Sequence, residues 1–256
     1  HRDLWEDAPM DYLYLINGAL TGLKSMRKYE TMRAFLEDVK LLDTKSENLH
    51  AMVTQLVFAH EMSILIDTGQ FEQGLSLVKT YESDLIKKGG VISVHTQANV
   101  YFYIGVTYFG MSDYHRALQY INEVLNIHSK YVSQQLYSLC RLLHLLLHFE
   151  LGNEDFLNYE LRSVERKLKA GKKLFQVEKV TIGFFKKWLR GMQKKSLLQD
   201  YHRQLLSLSK DPYEMQLLRQ FDFITWIEAK IKKVAFAELV SEKNLKESVT
   251  QQMGIV

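Results

Sequence analysis

Residues 98–131 read ANVYFYIGVTYFGMSDYHRALQYINEVLNIHSKY, and this stretch decides the fold. Tyr101, Ile104 and Tyr108 recur at i, i+3 and i+7, one face of a helix. Gly110 followed by Met111-Ser112-Asp113 supplies a turn and an N-cap for a second helix. Ala117, Ile121 and Val124 mark the apolar face of that second helix. Gly105 and Ala117 lack bulk where the two antiparallel helices must approach. The stretch is a helix–turn–helix pair with one buried seam.

Weaker copies of the pair flank it. Residues 55–88 carry Gly69-Gln70-Phe71 at the turn, then Gly74, Val78 and Tyr81. Residues 138–171 carry Gly152-Asn153, then Leu157, Leu161 and Val164. Residues 13–46 carry Lys28-Tyr29, then Met32, Leu36 and Val39. A divergent fifth pair over 178–211 has Gly191 at its turn and Leu197 and Tyr201 in its second helix. The starts at 13, 55, 98 and 138 keep a nearly constant period, which signals a repeat architecture. The spacing predicts helices at 10–27, 29–43, 46–68, 71–88, 91–110, 113–128, 131–151, 154–170, 173–191, 195–209, 212–233 and 235–246. Pro9 and Pro212 flank this region and leave a long interval without the strongest helix breaker. Lys87-Lys88-Gly89-Gly90 reads as the one loose connection.

The unit at 98–131 resembles the tetratricopeptide repeat, on Gly105 and Ala117 at the helix contact, with Ser129 where that family usually has proline. The resemblance implies an all-α, right-handed α-α superhelix of repeats over 10–210. A capping helix pair over 212–246 would close its open end, and 247–256 would be a frayed tail. Phe221-Asp222-Phe223-Ile224-Thr225-Trp226 is similar to the closing segment of bacterial repeat proteins of the Bacteroidetes kind, which names no activity. The resemblance further implies a groove lined by the first helix of each pair. Its partner-binding candidates are Tyr14, Asn17, Thr21, Lys24, Ser63, Asp67, Asn99, Phe102 and Val106. In the fourth unit the same positions are Leu139, Leu142, Leu146 and Phe149, and either an apolar groove or burial between repeats accounts for them.

The chain has 256 residues, of which 46% are hydrophobic and 25% charged. That composition excludes wholesale disorder and is enough for a full core. The net charge of +3 is a cancellation. Residues 1–161 carry −7, 162–195 carry +10, and 196–256 carry none. Arg162, Arg166, Lys169 and Lys173 form one basic stripe, and Lys172, Lys179, Lys186 and Arg190 another. Such stripes suit phosphates, an acidic partner, or the acidic half of a second copy in a homodimer.

No catalytic motif, phosphate loop or dinucleotide fingerprint is present, so the expectation is a non-enzymatic module without cofactor or metal. His144 and His148 have a chelating i, i+4 spacing but fall on core positions without a converging third ligand. Cys140, alone and among leucines, reads as a small buried hydrophobe in a reducing, cytoplasmic setting. No membrane span is expected, and the chain begins at His1 like a fragment or a processed product.

The expected function is therefore a protein- or peptide-binding scaffold. The alternatives are a peptide-sensing domain of a bacterial transcriptional regulator, and a nucleic-acid-associated factor using the 162–195 stripe.

Overall fold

A computed structural model describes residues 2–82, 85, 93–169 and 175–252. Among them the chain forms fourteen α-helices and no strand. A short α1 (Arg2–Asp7) precedes α2 (Pro9–Ser25) and α3 (Tyr29–Lys40). Next come α4 (Glu47–Asp67), α5 (Phe71–Glu82), α6 (Val94–Gly110) and α7 (Tyr114–Asn126). The middle continues with α8 (Gln134–Glu150), α9 (Glu154–Lys169), α10 (Gln176–Leu189) and α11 (Lys194–Leu208). The end is α12 (Pro212–Leu218), α13 (Phe223–Lys232) and α14 (Phe236–Gln252).

Local chemistry sets where helices start. Side-chain oxygens of Ser46, Ser93, Asp113, Ser133, Asp211 and Asp222 accept backbone N–H bonds at the first turns of α4, α6, α7, α8, α12 and α13. Each satisfies a donor that the helix itself leaves unpaired. Pro9 and Pro212 occupy the first helical positions of α2 and α12, where a missing N–H costs nothing.

The repeat is written most plainly in where helices stop. Left-handed residues stand at Arg27, Gly69, Ser112, Gly152 and Gly191, at spacings of 42, 43, 40 and 39. At each, the next residue's N–H reaches the carbonyl five positions back: Lys28 to Leu23, Gln70 to Leu65, Asp113 to Tyr108, Asn153 to His148, Met192 to Lys187. The left-handed residue's own N–H bonds the carbonyl three positions back in all five. This is one Schellman turn made five times.

Helices pack on their sequence neighbours, and α2, α4, α6, α8 and α10 also pack in series, each on the next. They form an inner row, with α3, α5, α7, α9 and α11 outside. Gly105 sits tightly at the α6–α7 seam: a Cβ there would stand 2.9 Å from Ile121 Cδ1, so that side chain would have to shift. The core is most continuous around α8, where Leu139, Leu142, Leu143, Leu145, Leu146 and Leu147 are all buried. The fourth unit's apolar face is thus burial between helices, and of its four positions only Phe149 retains partial exposure.

Two expectations need correction. The segment 212–233 is two helices, not one, because Asp222 caps a new start: its Oδ1 accepts from Thr225 N at 2.8 Å. Helix α14 runs to Gln252, into the segment expected to fray. The last segment, expected only as a capping pair, carries a sixth left-handed residue. Lys233 (φ +60°) lies 42 positions after Gly191, and Val234 N bonds Ala229 O five positions back, but Lys233's own N–H bonds Ala229 O, four back and not three. The helix pair α13–α14 covers α11 and also turns back on the inner row. Phe236 meets Phe71 and Phe109 at ring-centroid distances of 5.9 and 5.7 Å. Glu150, at the end of α8, accepts from Trp226 Nε1 and Lys230 Nζ of α13.

α4 bears on the expectation of no membrane span. It is long and apolar enough by composition to cross a membrane. It packs against α2, α3, α5 and α6, and it carries His60, Glu61 and Asp67.

Candidate functional site

The return of the C-terminal helices leaves a cleft of about 490 Å3. One wall comes from the end of α2, the turn after it and the end of α4: Thr21, Lys24, Ser25, Arg27, Tyr29, Ile66 and Asp67. The facing wall comes from α12 to α14, with Leu218, Arg219, Phe221, Asp222, Thr225, Phe236, Val240, Lys243 and Glu247. Val106 contributes from α6.

Polar groups ring this opening in alternating sign. Lys24 Nζ stands 3.5 Å from Asp67 Oδ2, which also accepts from the Tyr29 hydroxyl at 3.3 Å. Burial pushes the Asp67 carboxyl above its ordinary range, against the opposing pull of Lys24 and Arg27. The Tyr29 phenol is raised by burial and then by Asp67. Across the cleft Arg27 pairs with Glu247, and Arg219 Nη1 donates to Ser25 Oγ at 3.2 Å. Lys243 Nζ is held by Glu228 at 2.8 Å and donates to Thr225 Oγ1 at 2.9 Å. The left-handed turn at Arg27 is what carries its guanidinium past the end of α2 toward α14.

Of the groove residues expected from sequence, Thr21, Lys24, Asp67 and Val106 line this cleft. Tyr14, Asn17 and Thr21 are exposed along α2. Asn17 is engaged: His60 Nε2 lies 2.9 Å from its Oδ1. Asn99 is half-buried and donates to His95 O at 2.8 Å. Ser63 and Phe102 are 3% and 2% exposed, so the chain itself covers them, and Val106, 1% exposed, lies under the cleft floor. Sequence reasoning missed Arg27, Tyr29, Arg219, Asp222, Lys243 and Glu247. Only Asp222 announced itself, through its capping distance from Thr225.

On the basic stripe, Arg162, Lys179 and Arg190 are exposed and Lys186 is half-buried. The side chains of Arg166, Lys169, Lys172 and Lys173, like the 87–90 connection, lie outside the described residues.

His144 and His148 are both 6% exposed, with Nε2 atoms 3.3 Å apart, and Phe156 stacks on His148 at 4.0 Å. Burial, then His148 and Arg141, lower the pKa of His144 to about 4. Cys140 is buried, and burial raises its thiol far above the reactive range. Among the described residues no cluster of three or more metal-ligating side chains occurs.

In comparison with known proteins, no family model, no curated protein and no solved structure matches the chain. The fold alone defines the class: an all-α protein of sequentially packed helix pairs, with a charged cleft where its last pair meets its first.

Proposed function

We propose that the protein is a non-enzymatic, tetratricopeptide-like scaffold, a right-handed superhelix that binds a protein or peptide partner at this cleft. The observation that carries the reading is the five-fold recurrence of one turn geometry, which gives a preformed scaffold with little ordering cost on binding. The cleft is where that scaffold exposes both charged groups and an apolar floor, the mixture that peptide recognition uses. The similarity to Bacteroidetes closing segments and a cytoplasmic, reducing setting belong to the same proposal; the buried free Cys140 supports the setting.

A selection from a random peptide library on the intact chain tests the reading. Enriched peptides should lose binding to the double variant Lys24→Glu, Arg219→Glu. Peptides that bind this variant as well as the parent, or a selection with no enrichment, would overturn it.

A second reading has its own observation. Lys179, Lys187, Arg190, Lys194 and Lys195 are exposed and meet no carboxylate among the described residues, a surface that suits a polyanion such as nucleic acid. It predicts nucleic-acid retention at low salt that falls steeply as salt rises. No retention at low salt would remove it.

A further inference from the structure

The two ends of α14 are held very differently. Its first turns bury Phe236, Leu239 and Val240 against the core. Beyond Lys243, which Glu228 and Thr225 hold, the apolar anchoring stops: Leu245 and Val249 are 65% and 53% exposed. A contact between this outer half and the first repeat is the pair of Arg27 with Glu247, whose side chains are 47% and 46% exposed. An exposed pair of this kind holds weakly and is easily exchanged for another carboxylate.

Arg219, on the same cleft, meets the Ser25 hydroxyl and no carboxylate among the described residues. Its guanidinium therefore lies beside the α2 end that carries Arg27, with a bidentate donor face to offer. Lys24 and Lys243 differ, since Asp67 and Glu228 already neutralise them.

We infer that Glu247 is an internal stand-in for an acidic partner. A glutamate- or aspartate-bearing peptide segment takes Arg27 from Glu247, adds Arg219, and displaces the outer half of α14 from the cleft. This rests on the scaffold reading above and names its partner's chemistry: carboxylates, recognised by two guanidinium groups from opposite walls. The inner half of α14 stays docked throughout, because its apolar anchors are untouched.

Poly-L-glutamate is the probe, titrated onto the full chain by fluorescence anisotropy. Glu247→Gln removes the internal competitor and should tighten binding about two- to fivefold, the range an exposed ion pair holds. Gain of binding is not a result that misfolding produces. Arg27→Gln with Arg219→Gln should abolish the binding, and Lys187→Gln with Lys194→Gln should leave it unchanged. No gain in Glu247→Gln, or binding that follows Lys187 and Lys194, overturns the inference. So does equal competition by inorganic polyphosphate, which would make the cleft a general anion site. If library peptides bind the cleft while Glu247→Gln gains nothing, the scaffold reading stands and only this inference falls.

Discussion

Replacing Phe236 by alanine isolates the contact that brings the C-terminal pair back onto the inner row. The ring is 8% exposed and meets Phe71, Phe109 and Phe221 at 5.9, 5.7 and 5.6 Å. Burying such a side chain contributes roughly 2 kcal/mol by transfer. Aromatic contacts add about 0.5–1.5 kcal/mol. The ring borders an open cleft, so solvent fills part of the space it leaves, and the cost falls near the lower end for Phe→Ala, about 3 kcal/mol. For a chain of this size that is a loss of roughly 6–12 °C in the melting midpoint. Thermal denaturation supplies the midpoint, and amide exchange over 236–247 shows whether α14 opens first. A loss under about 1 kcal/mol, with unchanged exchange in α14, would refute the argument that these rings hold the pair in place.

Gly69→Ala and Gly152→Ala share a left-handed backbone, which costs alanine about 1 kcal/mol. Only Gly69 also has α14 against it, with a Cβ placed 2.9 Å from Ser241 N, so in urea titrations its loss should exceed that of Gly152 by at least about 1 kcal/mol. Glu214 is 2% exposed and accepts the first amides of α10, Gln176 N at 2.8 Å and Val177 N at 2.9 Å. Glu214→Ala should therefore cost about 1–3 kcal/mol in the same titration, while Glu214→Gln should recover part of it. For pH, His144 titrates near 6.5 when unfolded and near 4 when folded. Between those values the unfolded chain takes the proton and the folded chain does not. Stability present above pH 6.5 therefore falls by about 3 kcal/mol on reaching pH 4, and the slope should shrink in His144→Gln.

The repeat was legible because its signals are local. Gly69, Gly152 and Gly191 punctuate the sequence where left-handed backbone is needed, and Ala117 faces Gly105 within one pair. The sixth turn was hidden because Lys233 takes the left-handed position without a glycine and, unlike Arg27 and Ser112, lies beyond the regular run of pairs. α12 also interrupts the rhythm before it. The cleft was hidden for a different reason. Phe236 meets Phe71, and Glu247 meets Arg27, across long stretches of chain with no periodicity to betray them. The positions that the repeat pattern offered as a groove, Phe102 and Val106, are apolar, and burial took them first. What stayed open was the polar rim, where charges favour water.

Hydrogen exchange of the intact chain, with and without a library-selected peptide, tests the central claim most directly. The account predicts new protection at 21–29, 66–67 and 219–225, with faster exchange beyond Glu242 as the outer half of α14 leaves. Protection on α10 and α11 instead, or none at the cleft, would contradict it.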